Sequence, residues 1–361
     1  MFNNVRRIIL CLVLVNNLNC SDAGMTPLMI ASQGGHVNVV DELLAQNANV
    51  DLPDKAGGTA LMDASANGHV NVVDKLLEYN AKVDLQDKNG KTALIWASKI
   101  GNVDVMDKLL EYNANVDLQD KNGKTALIWA SQYEYAAVVD KLLEYNANVD
   151  LQDEWGRTAL MDASFQGHVA VVDKLLAKNA NIDLQNNYCK TALMFASEGG
   201  HADVVEKLLA QNANVDLPDE DGGTALICAS AEGNADVVEK LLAQNANVDL
   251  QDKNGNTALM DASFQGHVAV VDKLLAQNAN VDLKDRYGIT ALMDASEKGH
   301  ADVVEKLLAK NANIDLKDKD GNTALMFAAE NGHGEIIELL KNASEGDLYS
   351  KSKRRCTKKT N

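Results

Sequence analysis

Residues 191–223 read TALMFASEGGHADVVEKLLAQNANVDLPDEDGG, and lightly varied copies of this string fill most of the 361-residue chain. Its opening T-[AP]-L falls at Thr26, Thr59, Thr92, Thr125, Thr158, Thr191, Thr224, Thr257, Thr290 and Thr323. Each step is 33 residues, without insertion or deletion over ten copies. Glycine keeps the same frame: nine stand two before the Thr and nine more stand nine after it. Glycine at a fixed phase marks a backbone that needs positive φ, here a turn tip and the end of a helix. From the Thr, T-A-L-M-x-A-S predicts a short inner helix capped by the Thr hydroxyl. After G-H, A-D-V-V-E-K-L-L-A puts its Val and Leu pairs on one face of an outer helix. N-A-N-V-D-L-x-D-x-x-G then reads as an extended finger closing in a turn. A unit this short cannot bury its apolar face alone, so the copies must stack.

This 33-residue unit, T-[AP]-L-[MI]-x-A-[SA]-x-x-G-H-x-x-V-V, resembles the ankyrin repeat over residues 24–342. The resemblance implies an all-α repeat solenoid, each repeat a β-turn finger plus a helix-turn-helix, stacked into an elongated curved array. It also implies a ligand on the concave inner-helix face and finger tips. Departures from the pattern are local. The His expected three after the Thr is Met or Ile (Met29, Ile95, Met194), so its inter-repeat hydrogen bond is missing. Asn47, Asn80, Asn113 and Asn146 stand where the outer helix would end in Gly. Cys189 replaces a finger glycine, and Glu134-Tyr135 replaces a Gly-His pair.

Five scattered cysteines exclude a disulfide framework, and no C-x-x-C pair is present. The net charge of −18 includes six Lys/Arg in residues 351–359. An acidic body of this kind disfavours nucleic acid as a partner. The apolar run Ile8–Val15 is too short to span a bilayer as a helix. All seven histidines stand ten after the Thr. Stacked helices lie about 8–10 Å apart, too far for successive histidines to share an ion, so no metal is expected. Asp columns eight and five before the Thr, such as Asp84 and Asp87, read as turn residues that accept local N–H bonds. No phosphate loop, nucleophile elbow or zinc signature appears, so neither enzyme activity nor a cofactor is expected.

In a solenoid the framework columns repeat and the binding columns vary. Ten of the sixteen aromatic residues fall at finger-tip columns or at the inner-helix columns four, seven and eight after the Thr. Among them are Trp96, Trp129, Tyr133, Trp155, Phe165, Tyr188 and Phe195, accompanied by Lys91, Lys124 and Arg157. Rigid aromatics beside cations have the composition of an interface hot spot. The expected partner is a protein or peptide offering carboxylates beside an apolar anchor, taken by a monomer at repeats three to six. A structural or self-associating scaffold is the alternative. Asp63, Asp162, Asp261 and Asp294 form a contrasting acidic column four after the Thr. Tyr79, Tyr112 and Tyr145 read as a packing stripe at the ends of outer helices.

The ends read separately. Arg6-Arg7, an apolar run and Ser21-Asp22-Ala23 have the anatomy of a signal peptide over 1–23, which points to export. A decayed capping repeat in a cytoplasmic protein is the other reading. Residues 343–361 read as a basic disordered tail.

Overall fold

The computed structural model describes residues 24–344; the expected signal segment and the basic cluster at 351–359 lie outside the described residues. The chain divides at Asn181/Ile182 into two compact units of five repeats each. Among the described residues there is no strand; each repeat is a finger, an inner helix and an outer helix. In the first unit, the third to fifth repeats carry inner helices Ala93–Ile100, Ala126–Gln132 and Ala159–Gln166. Their outer helices are Val103–Glu111, Ala136–Glu144 and Val169–Ala177. The second unit runs from inner helix Ala192–Glu198 to Ala324–Glu330, followed by an outer helix at 334–344.

Local chemistry explains each boundary. Every inner helix starts on its Thr, whose Oγ1 accepts the N–H three residues on, as in Ile95 to Thr92 at 3.2 Å. The glycines two before and nine after the Thr all have positive φ, and so do Asn47, Asn80, Asn113 and Asn146. Cys189 (φ 57°) and Glu134 (φ 62°) keep the conformation that glycine has in their columns. The stack therefore tolerates two side chains in left-handed backbone rather than changing its frame.

The core is a set of columns. Leu94, Ile95 and Ala97 of one inner helix are buried, as are Val105, Met106, Leu109 and Leu110 of its partner, and the inner helices of the first nine repeats place the same positions inside. The Met/Ile column that replaces the family's His is part of this core up to Met293; Met326 of the tenth repeat is exposed. Ties between repeats come from other columns. The ring Nε2–H of His69 donates to the Gln33 carbonyl at 2.9 Å; His168, His267, His300 and His333 repeat this bond 36 residues back. A carbonyl can only accept, so this contact sets the tautomer. These five histidines thus hold successive repeats together.

The two Asp columns differ from each other. Asp87 accepts the N–H groups of its own Asn89 and Lys91, the anticipated turn role. Asp84 instead accepts the Asn115 N–H of the next repeat at 2.9 Å, and its column does so from Asp51 onward. That reading corrects the local role expected for Asp84. Fingers are joined by backbone as well, Lys121 N–H donating to Asn89 at 2.8 Å.

The finger glycines are fitted to this contact. A Cβ on Gly90 (φ 77°) would stand 2.8 Å from the Lys121 backbone nitrogen. Gly90→Ala combines left-handed strain with that clash and should destabilise the first unit by about 2 kcal/mol. Urea unfolding of the variant checks this, and a loss below one third of that value would mean the fingers can separate freely.

Candidate functional site

The residue before each Thr stands at the start of an inner helix, and the residues four, seven and eight after it lie along that helix. In the first unit this brings the cations and aromatics of three repeats together. Trp96 and Trp129 occupy equivalent positions of identical TALIWAS helices, and both are half-buried. Trp129 is the centre of the cluster. Its Nε1–H donates to Asp120 Oδ2 at 3.1 Å, and its ring stacks on Tyr133 with centroids 6.2 Å apart and planes 8° from parallel. Tyr135, the residue that replaces a His, continues the row at 6.1 Å from Tyr133.

Three ammonium groups face the Trp129 ring: Lys99 at 4.5 Å, Lys124 at 5.0 Å and Lys91 at 5.6 Å from its centroid. Lys91 and Lys99 also lie 5.5 and 5.2 Å from the Trp96 centroid. Each such contact is worth roughly 0.5–2 kcal/mol, more where water is excluded. Burial and the neighbouring Lys91 charge hold the Lys99 ammonium below its usual pKa.

The cations are not equivalent. Lys124 is only 7% exposed; its Nζ reaches Asp162 Oδ2 and Gln132 Oε1, both at 3.0 Å. Arg157 Nη2 pairs with Asp162 Oδ1 at 2.7 Å, its guanidinium 5.7 Å from the Phe165 ring. Asp162 is itself buried, so these three form an internal ion cluster. Lys91 lies 4.0 Å from Asp120 Oδ2.

Of the ten residues expected to meet a partner, Tyr133, Trp155 and Phe165 are well exposed in the first unit, and Tyr188 in the second. Lys124 and Phe195 are buried, which corrects their assignment to the surface: Lys124 is held by its ion pair and Phe195 is packed with the inner-helix core. Sequence reasoning missed Lys99 and Asp120. Lys99 stands seven after its Thr, in a column searched for aromatic residues alone. Asp120 belongs to the turn column, and only its second oxygen reaches the indole. Tyr79, Tyr112 and Tyr145 are about 40% exposed rather than forming a packed stripe.

The acidic column splits in the same way. Burial pushes Asp63 up to about 7, with Asp54 adding to it, and Asp261 up to about 6, with Asp252 adding. Asp294 rises to about 8 through burial first, then Asp285, Glu297 and Asp261. The second unit also holds Cys228, whose thiol burial pushes up to about 12, well away from a reactive thiolate. Among the described residues no group of three or more His, Cys, Asp or Glu is placed to hold a metal ion. No helix there is long and apolar enough to cross a membrane.

A family model described as ankyrin repeats in three copies matches residues 2–87, 79–153, 139–219, 193–285 and 271–352. No curated protein matches the chain significantly.

Proposed function

Because the chain belongs to the ankyrin repeat proteins, whose repeats are generally protein-interaction modules, we propose that it is a non-catalytic module binding a protein or peptide on its inner-helix face. The family is typically non-catalytic. The site we assign is the first unit's third to fifth repeats, with Trp96, Trp129, Tyr133, Trp155 and Phe165 as the contact aromatics. One observation carries this reading: Trp129 is held by Asp120, Tyr133 and three ammonium groups, yet is only half-buried. A side chain already ordered in the free protein loses little further entropy on binding, and such anchors dominate interface energies. Tyr188, at a finger tip of the second unit, is a separate exposed aromatic.

The test is a comparative capture. Partners retained from native lysate or medium by the parent should be lost by the Trp96→Ala, Trp129→Ala, Trp155→Ala triple variant. Three hot-spot losses of about 1–2 kcal/mol each would weaken binding at least a hundredfold. A melting curve establishes that the variant is still folded. Identical partners on parent and folded variant would move the site elsewhere.

Self-association is favoured by a different observation. Among the described residues, Met326 in the inner helix of the tenth repeat is 54% exposed, whereas the equivalent Met293 is 2% exposed, so that repeat carries an exposed apolar side chain where its predecessors bury theirs. Light scattering distinguishes the readings, since an array joined through its ends grows with concentration and a receptor stays monomeric.

A further inference from the structure

We propose that Lys99, together with Lys91, receives an acidic side chain of the protein partner, whose neighbouring apolar residue rests on Trp129 and Tyr133. This rests on the binding face proposed above and assigns the charge specificity within it.

The argument is an inventory of donors and acceptors. Around Trp129 stand three cations, Lys91, Lys99 and Lys124, and Lys124 shares Asp162 with a fourth, Arg157. Three carboxylates lie among them: Asp120, Asp153 and Asp162. Asp162 is taken by Lys124 and Arg157. Asp120 uses Oδ1 for the backbone N–H groups of Asn122 and Lys124, and Oδ2 for the Trp129 indole, leaving Lys91 a contact at 4.0 Å. Asp153 Oδ1 likewise accepts the N–H groups of Trp155 and Arg157, and its buried Oδ2 has no hydrogen-bond partner, Lys124 being the cation that acts on it. Lys99 is the remainder. Among the described residues its ammonium lies over the two indole rings, with the Lys91 charge opposing it and the Asp120 carboxylate attracting it from a distance, and no acceptor atom hydrogen-bonds to it. Trp96 adds a further donor, because its indole N–H has no acceptor there, unlike that of its twin Trp129.

Two adjacent ammonium groups over one aromatic surface repel each other, and a single carboxylate relieves both. A polyanion fits poorly, because the chain's net charge of −18 would repel it outside this patch. The ligand chemistry is therefore an isolated Asp or Glu beside an aromatic or aliphatic side chain, on a protein whose surface is not uniformly acidic.

A random peptide library panned against the intact protein supplies the probe. The enriched peptides should carry Asp or Glu next to an apolar residue. Lys99→Gln should weaken the strongest of them about tenfold, equivalent to about 1.4 kcal/mol. The same peptide with its acid changed to the amide should lose as much on the parent and nothing further on Lys99→Gln, the signature of a direct pair. Lys99→Arg should retain most of the affinity.

Two results overturn the proposal, and they differ. Enriched peptides that depend on the three tryptophans but show no acidic preference would remove the role of Lys99 and leave the binding face standing. Peptides that bind the tryptophan triple variant equally well, or no enrichment on the parent, would remove both.

Discussion

Asp162→Ala should destabilise the first unit by about 3 kcal/mol, because it strands a buried ammonium and a half-buried guanidinium that now share one carboxylate. Lys124 has Gln132 as its other polar contact, a neutral group that cannot replace the lost charge. Asp162→Asn keeps the shape and should lose nearly as much. Replacing the buried pair together, as Asp162→Leu with Lys124→Met, should recover the part of the loss due to Lys124, since a desolvated ion pair and a packed apolar pair of similar volume differ little, while Arg157 stays without its carboxylate. Urea unfolding of the three variants measures this. A loss under 1 kcal/mol for Asp162→Ala would show that water reaches Lys124 once its partner is gone.

The second large effect has the opposite sign and depends on pH. Asp294 occupies the same column as Asp162, but burial raises its pKa first and the carboxyls of Asp285, Glu297 and Asp261 add to this, the Lys298 ammonium offsetting them only in part. Its folded pKa of about 8 lies above the ordinary 3.8, so the native state binds the proton more tightly than the unfolded chain. Stability is therefore fully present below the unfolded value and is lost as pH rises toward 8. Asp294→Asn removes the titration. At pH 8.5 it should stabilise the second unit by about 2 kcal/mol, a figure reduced for the solvent that still reaches a half-buried group. The gain should shrink steadily below pH 8 and vanish near pH 4. Asp63→Asn and Asp261→Asn should follow the same course, ending at about 7 and about 6. Melting temperatures between pH 4 and 8.5 decide it; a pH-independent gain would mean that amide packing rather than charge removal is responsible.

These two aspartates also show how far the chain could be read as a string. The segment MDASFQGHVAVVDKLLA occurs at Met161 and again at Met260. Its Asp is buried in an ion cluster in one copy and an unpaired, half-buried carboxyl in the other. The difference lies in the residue before the Thr, in the same repeat and in the one before it. Asp162 finds Arg157 and Lys124 there, whereas Asp261 finds Asn256 and Gly223. Asp294 finds Ile289 and Asn256, and Asp63 finds Gly58 and Met25. That rule is legible in the sequence once the inter-repeat contact is known.

The twin TALIWAS helices make the same point. Trp129 has Asp120 on its indole and Tyr133 on its face, while Trp96 has neither. Both were visible as binding candidates, but which cation beside them stays without a counter-ion was not. Lys124 and Lys91 occupy one column and differ in what their own and the next repeat offer: Gln132 and Asp162 for one, Lys99 and Trp129 for the other.

The sequence alone determined the period, the helix starts, the left-handed turns and the buried columns, because each depends on contacts within one repeat or on a stacking rule common to all. Only the tertiary structure decided the charge state of the inner-helix face and the availability of its cations. Those properties depend on distances of 3–6 Å between side chains of successive repeats, where one neighbour's identity reverses the electrostatic balance.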